Sequence, residues 1–344
     1  MVRRRIFLAS SPVPCYNDRI TPDGRNTAMR YYFAPMEGIT DSIYRRVHHR
    51  YFPGLDRYYM PFLSPTQHRT LTHREQRELP MADSEAFHAV PQILTRDADA
   101  FLWAANLCRD RGYEQVNLNL GCPSGTVVAK GKGAGMLRDL GQLEAFLDAI
   151  FAGSALPISI KTRLGLESAA EFPAILEVLN RYPVRELIIH PRVRRAFYIG
   201  PVDLDAFEWA AQRCAIPICY NGDLTGTEKI NALRARFPKV EAVMLGRGLL
   251  GDPGMLTPGG TDAATLEAFT NELLESYIIA FGSARNAMFR MKENWRFLLR
   301  HFRGSEKLGK QLRKTTDYTE FTAITREIFQ TLPMEPTLQP DWID

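Results

Sequence analysis

Eight short apolar runs recur between residues 31 and 245, and each suits a buried β-strand. The runs are Tyr31–Pro35, Tyr58–Leu63, Ala89–Leu94, Gln115–Leu120, Pro157–Lys161, Glu186–His190, Pro217–Tyr220 and Glu241–Leu245. Stretches with apolar residues at helical spacing separate most of them: Asp97–Arg111, Leu140–Ala152, Ser168–Arg181, Asp203–Cys214 and Thr225–Phe237. Strand–helix alternation indicates a parallel sheet, and eight such units predict a TIM (β/α)8 barrel rather than an open sheet. Only the polar segment Ser64–Ala86 gives no clear helix.

The pattern changes after two Pro-Gly turns, Asp252-Pro-Gly254 and Thr257-Pro-Gly-Gly260. Residues 262–331 carry no strand signal and predict a small, separate, all-helical C-terminal domain. Its helix candidates are Thr265–Phe281, Ala287–Phe302, Ser305–Lys314 and Asp317–Gln330. We therefore divide the chain into a catalytic barrel over residues 29–255 and a helical domain over residues 262–331.

Residues 1–28 fit neither unit. Arg3-Arg4-Arg5 precedes a short apolar stretch, but Ser-Ser-Pro-Val-Pro interrupts it before it reaches the length of a signal-peptide core. We interpret this segment as a disordered basic arm, or as an extension ahead of Met29 as the working initiator.

Composition narrows the class of protein. The chain is 45% hydrophobic and 24% charged, which is typical of soluble globular proteins. No apolar run approaches the roughly 18 residues that a membrane span needs. The five cysteines form no Cys-x-x-Cys pair, which argues against zinc, any other metal and a disulfide framework. We expect a reducing, cytoplasmic compartment.

Positive charge is concentrated in the predicted helical domain. Ten Lys or Arg and only two Glu lie between Arg285 and Lys314, a local net charge of +8 in a chain whose total is +4. Most charge runs are solvated helix faces, but such faces usually mix both signs. A one-sign face interleaved with Trp295, Phe297 and Phe302 predicts a nucleic-acid surface, and we expect Arg296, Arg300 and Arg303 to contact the phosphates.

A cysteine stands at the end of the fourth run. The segment Gln115-Val-Asn-Leu-Asn-Leu120 alternates polar and apolar residues and then enters Gly-Cys-Pro, which cannot continue a central strand. Cys122 is therefore presented on a turn at the carboxyl end of a strand, where α/β proteins keep their chemistry. An isolated cysteine is more often a small buried hydrophobe, so its context has to decide.

That context is a set of polar groups at the other strand ends. Any one of them alone is more often a satisfied structural group than a ligand. Together they form a set that would converge on one barrel mouth: Pro35-Met36-Glu37, Gln92, Asn119, Lys161-Thr162-Arg163, His190-Pro191-Arg192, Asn221-Gly222-Asp223 and Gly246-Arg247-Gly248. The last two follow strands seven and eight, where backbone amides commonly bind phosphate. We therefore expect a phosphorylated planar cofactor, with flavin mononucleotide (FMN) as the candidate, because no Rossmann glycine motif follows an early strand.

The residues that carry this set resemble the tRNA-dihydrouridine synthases. The motifs are Ala34-Pro-Met-Glu-Gly-Ile-Thr40, Asn119-Leu-Gly-Cys-Pro-Ser-Gly-Thr-Val127, Gly133-Ala-Gly-Met-Leu137, Lys161-Thr-Arg-Leu-Gly165, His190-Pro-Arg192, Asn221-Gly-Asp223 and Gly246-Arg-Gly248. The resemblance runs from about residue 31 to 330 and implies an FMN-dependent barrel followed by a helical domain that holds tRNA. Many members carry His-Gly-Arg where this chain has Pro191, so the resemblance does not imply which uridine is reduced.

The resemblance also implies individual roles. The reaction is reduction of the uridine C5–C6 double bond, with NADPH reloading the flavin, Cys122 as proton donor, and Asn119 and Arg163 at the uridine. The flavin contacts are Pro35, Met36, Glu37, Gln92, Lys161 and His190, and the phosphate contacts are Asn221, Gly222, Asp223, Gly246 and Arg247. A thiol of pKa near 8.5 is still protonated at neutral pH and suits the donor role. We expect a monomer acting on tRNA.

Two alternatives stay open on the sequence. The first is a small-molecule FMN oxidoreductase of the dihydropyrimidine or dihydroorotate type, whose chemistry is closely related but which needs no +8 helical surface. The second is a non-catalytic RNA-binding or RNA-chaperone protein, which would leave the strand-end set without a purpose.

Overall fold

The computed structural model describes residues 29–66, 68–335 and 338, so the predicted arm over residues 1–28 lies outside the described residues. The described chain forms nine parallel strands. They are Arg30–Phe33 (β1), Arg57–Tyr59 (β2), Ala89–Val90 (β3), Gln92–Ile93 (β4), Val116–Leu120 (β5), Ile158–Arg163 (β6), Leu187–His190 (β7), Ile218–Asn221 (β8) and Ala242–Leu245 (β9). Their order around the sheet is β3-β2-β1-β9-β8-β7-β6-β5-β4.

The barrel closes through a strand that is broken by one proline. The half β3 pairs with β2, at Tyr58 and Ala89, and the half β4 pairs with β5, at Gln92 and Asn117. Pro91 lies between the halves and has no N–H to donate, but its carbonyl accepts from the Asn117 N–H at 2.8 Å. Because β3 and β4 are consecutive halves of one broken strand, the nine strands fill eight strand positions of the barrel. The predicted TIM barrel is confirmed.

Helices follow the strands at nearly the predicted positions. Those of the barrel are Ser42–Tyr51 (α1), His73–Glu78 (α2), Ala98–Asp110 (α3), Gly125–Ala129 (α4), Leu140–Gly153 (α5), Phe172–Leu179 (α6), Leu204–Arg213 (α7), Thr227–Arg236 (α8) and Arg247–Gly251 (α9). Helix α2 was not recognised in the sequence because six residues are too few to show a period. It is instead fixed by a capping box, in which the side chains of Thr72 and Glu75 each bind the other's backbone N–H.

Four helices follow the barrel in the described part of the chain, as predicted: Ala263–Phe281 (α10), Ala284–Leu298 (α11), Glu306–Lys314 (α12) and Tyr318–Thr331 (α13). Helix α10 packs on α1 of the barrel. Phe269 meets the rings of Tyr44 and Phe52 edge-on, with centroids 5.8 and 5.3 Å apart. The Tyr277 hydroxyl donates to Asp41 Oδ1 at 3.0 Å. The apolar core therefore runs from the barrel into the helical region, and the domain bounds 29–255 and 262–331 stay a prediction.

We expect the Phe269→Ala substitution to lower the free energy of unfolding by about 3–5 kcal/mol, because it opens a cavity in a ring cluster shared by α1 and α10. Urea denaturation followed by tryptophan fluorescence and by far-UV circular dichroism should give one coincident transition at a lower midpoint. Phe289→Ala, at a half-exposed phenylalanine of α11, is the control and should change stability by less than about 0.5 kcal/mol. If part of the helical signal of the mutant were lost at a lower urea concentration than the rest, the result would contradict a shared core.

Candidate active site

A cavity of about 490 Å³ opens at the carboxyl ends of the strands. Its lining brings together these residues from the sequence prediction: Pro35, Met36, Glu37, Gln92, Asn119, Cys122, Lys161, Arg163, His190, Asn221, Gly222, Asp223, Gly246 and Arg247. Arg296 of α11 also reaches the lining, whereas Arg300 and Arg303 are not part of it. The convergence follows from the topology, because parallel strands of a closed barrel all end at one mouth.

A chain of buried polar side chains links the neighbouring strands β4, β5 and β6 at this cavity. Asn117 Nδ2 donates to Ser159 Oγ at 2.9 Å, and Asn117 Oδ1 accepts from Gln92 Nε2 at 2.7 Å. Gln92 Oε1 then accepts from Asn119 Nδ2 at 2.7 Å. All four side chains are buried away from water, so these bonds supply the hydrogen-bond partners that water would otherwise provide. The chain locks Asn119 in a single orientation.

Asn119 also fixes the turn Gly121-Cys122-Pro123, which we call the cysteine turn. Its Oδ1 accepts from the backbone N–H of Gly121 at 3.1 Å and of Cys122 at 2.9 Å. On the other side of the turn, the Ala134 N–H donates to the Cys122 carbonyl at 3.2 Å. Gly133 has φ +57°, and a Cβ there would lie 2.9 Å from Cys122 Cβ. Gly133 belongs to the glycine-rich motif after Cys122, to which the sequence analysis gave no role. Its lack of a side chain lets this segment pack directly against the cysteine.

Cys122 lies half-buried at the cavity wall. Burial raises the pKa of its thiol above the usual value, and the nearby cations Arg163 and Lys161 only partly oppose that shift. The thiol is therefore protonated at neutral pH and can donate a proton.

Lys161 is the unusual cation of the cavity. Burial, together with the charge of Arg163, lowers the pKa of its ammonium to about 7. No described residue accepts a hydrogen bond from it. An ammonium in this state gains most from a ligand that offers an electron-rich or anionic acceptor.

His190 is neutral, because burial and the surrounding cations lower its pKa well below its usual value. Its Nε2 lies 3.1 Å from Arg192 Nη1, which can only donate, so the ring proton is on Nδ1. A neutral imidazole is a hydrogen-bonding group here rather than another charge.

Two arginines share one carboxylate at the phosphate end predicted for the cavity. Arg192 binds Asp223 through both of its terminal nitrogens, one of them at 3.0 Å, and Arg247 Nη2 binds Asp223 Oδ1 at 2.9 Å. The Asp223 carboxylate therefore holds the arginines, which leaves its backbone and not its side chain for an anion. Arg192 belongs to the predicted His-Pro-Arg motif, but its role as a buried clamp depends on a residue 31 positions away and had no local signal.

The loop after β7 adds a residue that sequence reasoning missed. The ring of Tyr198 stacks on His190, with centroids 6.0 Å apart. The guanidinium carbons of Arg163 and Arg247 lie 5.1 and 5.5 Å from the Tyr198 ring centroid. Tyr198 thus forms a wall of the cavity between two cations. Only its position eight residues beyond a strand end could have suggested this.

The aromatic part of the predicted nucleic-acid surface was wrong. Trp295 and Phe302 are buried and pack with Phe329, with ring centroids 5.6 and 5.4 Å from it. They follow the apolar stripe of α11 and its extension, so their helical spacing reflects the core. Phe297 alone of the three lines the cavity, beside Arg296.

The basic residues of this region also divide into two groups. Arg303 forms an ion pair with Glu335 and Arg290 one with Asp41, and Lys292 donates to the carbonyls of Arg313 and Thr315 at the end of α12. The exposed cations that remain are Arg285, Arg296, Lys307, Lys310, Arg313 and Lys314, and Arg300 is half-exposed.

Two negative findings apply to the described part of the chain. It contains no group of three or more His, Cys, Asp or Glu side chains arranged to hold a metal ion. None of its helices has both the length and the apolar character that crossing a membrane requires.

Residues 32–331 match the family model described as dihydrouridine synthase. A tRNA-dihydrouridine synthase B of Pasteurella multocida is 30% identical over 226 residues, which cover 65% of this chain and 67% of that protein. Proteins of the same name from Shewanella oneidensis and Vibrio cholerae are 28% and 27% identical over 221 residues, covering 64% of this chain and 67% of each.

We expect Lys161→Met to stabilise the flavin-free protein at pH 7 and to lose that advantage as the pH rises toward about 10. An unfolded lysine keeps its proton to about pH 10.4, whereas the folded one releases it near pH 7. The cost of burying the charge is therefore complete below pH 7 and fades between these two values. The measurement is the thermal midpoint of both proteins across this range, with the exposed Lys239→Met as control. A constant difference across the range would contradict the lowered pKa.

Proposed function

The chain belongs to the dihydrouridine synthase family, and on that premise we propose that it reduces the C5–C6 double bond of specific uridines in tRNA. In this proposal FMN is the bound cofactor, NADPH is the reductant and Cys122 is the general acid. The enzyme acts on tRNA as a monomer in the cytoplasm. The observation that carries the proposal is one cavity that holds a protonated thiol, an unpaired lysine of low pKa and a neutral histidine.

The donor set of the cavity fits FMN. When bound, FMN supplies the hydride that is added to uracil C6. Lys161, His190 and Gln92 are the groups that would hold the ring, and the unpaired Lys161 ammonium suits its electron-rich edge. At the other end, the guanidinium of Arg247 and the backbone around Gly246 would take the phosphate. The remaining contacts that we assign to the cofactor are Pro35, Met36, Glu37, Asn221, Gly222 and Asp223.

The substrate side follows from the cysteine turn. Addition of hydride at C6 leaves negative charge on C5 and on the ring carbonyl, and Cys122 delivers the proton to C5. Arg163 has its Nε and Nη1 engaged with the carbonyls of Gly121 and Val193, at 3.0 and 3.1 Å. Its remaining N–H groups, with Lys161, stabilise the developing charge. Asn119 keeps one amide hydrogen without an acceptor among the described residues, and we assign that hydrogen to the uracil.

A base inside a tRNA stack cannot reach Cys122, because the thiol lies within the cavity. The target uridine must therefore leave its stack. In this proposal the exposed cations of α11 and α12 hold the phosphates while it does so, and they bind without sequence preference. Arg296 is the one of these cations that also lines the cavity, so it links phosphate binding to the site where the uridine is reduced.

The proposal is tested by incubating the purified protein with unmodified tRNA, FMN and NADPH, then digesting the RNA and measuring its nucleosides by mass spectrometry. A gain of two daltons on specific uridines is the expected result. No gain with tRNA, but turnover of free uracil or orotate, would support the small-molecule oxidoreductase instead.

We expect Cys122→Ala to lower the rate of dihydrouridine formation by about 10²- to 10⁴-fold, because the proton at C5 is then supplied by water. The rate at which NADPH reduces the flavin should not change. Since the thiol pKa is raised, loss of the thiol proton should lower the wild-type rate at alkaline pH, and this thiol-dependent fall should be absent in the variant. A fall caused by deprotonation of Lys161, which both proteins keep, should be common to the two. Cys214→Ala, at a half-buried cysteine outside the cavity, is the control. A variant with the wild-type rate would exclude Cys122 as the acid.

We expect the triple variant Arg296→Gln, Arg300→Gln, Arg303→Gln to bind tRNA more weakly and with a flatter dependence on salt, because fewer counterions are released. Flavin content should stay normal. The charge-matched control is Arg185→Gln, Arg234→Gln, Lys239→Gln, whose sites lie near the amino ends of β7 and β9. Filter binding at several salt concentrations measures both slopes. Equal slopes for the two triple variants would remove the assignment.

A further inference from the structure

The loop between β7 and α7 carries large apolar side chains out to solvent at the edge of the cavity. Ile199 is 72% exposed and Phe197 is 40% exposed, and both flank Tyr198 at the tip of the loop. Ile199 and Tyr198 also line the cavity. Exposed apolar groups that rim a polar cavity indicate contact with a partner that enters there.

The loop is held firmly in this position. Arg192 is buried and donates from its Nε to the Gly200 carbonyl at 3.2 Å, beyond the tip. Before the tip, the Arg194 N–H donates to the Gly165 carbonyl at 2.8 Å. Phe197 itself has φ +48°, a left-handed conformation that costs energy for an aromatic residue and that the surrounding bonds maintain. The tip is therefore presented as a fixed feature.

Cations stand directly beside the apolar tip. The guanidinium of Arg194 lies 5.2 Å from the Phe197 ring centroid, and its Nε donates to the Pro123 carbonyl at 3.2 Å, next to Cys122. Arg195 is exposed beside it. Apolar side chains flanked by arginines match a nucleic acid, which offers flat base faces within a frame of phosphates.

We propose that Phe197 and Ile199 are a wedge that fills the gap in the tRNA base stack from which the target uridine has been withdrawn. The inference rests on the proposed function and adds residues that position the substrate without contacting the reacting atoms. Tyr198, held by His190, Arg163 and Arg247, is the wall that the withdrawn base passes. The wedge stabilises the extruded state by replacing the lost stacking, as apolar side chains do when they enter a base step.

The test compares Ile199→Ser with Ile279→Ser. Ile279 is 83% exposed on α10 and does not line this cavity. Ile279→Ser therefore removes a similarly exposed isoleucine away from the site. We expect Ile199→Ser to lower kcat/KM for tRNA by about tenfold or more and Ile279→Ser to leave it within twofold. Ile199→Leu should restore most of the rate. Reduction of the flavin by NADPH in the absence of tRNA should be the same in all of them.

A second readout separates a wedge from a merely structural loop. With 2-aminopurine placed next to the mapped uridine, binding of the wild-type protein should raise its fluorescence, because the neighbouring base has left the stack. Ile199→Ser should bind the same tRNA with similar affinity but with a smaller rise. Equal kcat/KM and equal fluorescence for wild type and Ile199→Ser would overturn the wedge while leaving the proposed function intact. Absence of dihydrouridine with the wild type would instead overturn the function.

Discussion

The buried amide chain from Ser159 to Asn119 is the constraint on which the site depends. It links the neighbouring strands β6, β5 and β4 and ends on the two N–H groups of the cysteine turn. Amide side chains inside a barrel are costly to bury unless they are hydrogen-bonded, and here they bond to one another and leave one amide hydrogen of Asn119 facing the cavity. The position of the Cys122 thiol is thus set by the hydrogen bonding of the barrel interior, and Gly133 closes the turn from outside.

Electrostatics makes the mouth ready for an anion. Arg163, Arg192, Arg247 and Lys161 meet there, and the carboxylate of Asp223 engages only Arg192 and Arg247. Burial makes this surplus of positive charge costly, so it favours the neutral form of His190 and lowers the pKa of the Lys161 ammonium to about 7. An anionic cofactor would relieve this surplus, so binding and stability are linked at this site.

Much of this was predictable because the strands and helices of a barrel have strong local patterns. Every predicted strand position was occupied, and the strand-end residues met at one cavity because the topology leaves no other arrangement. The failures were those of tertiary context. Trp295 of α11 and Phe302 just beyond its end lie among basic residues in sequence but face the core, which a count of charges does not reveal. The Arg192–Asp223 clamp and the place of Tyr198 required the folded loop, because no periodicity governs residues 191–202.

The packing of α10 on α1 has a consequence for synthesis on the ribosome. Tyr277 and Asp41, which are bonded to each other, are separated by 236 positions in the chain. At about 5–20 residues per second, α1 waits roughly 10–50 s before the helix that covers Tyr44 and Phe52 has been made. During that interval the first helix of the nascent barrel exposes aromatic surface, which makes it a natural point of contact for chaperones.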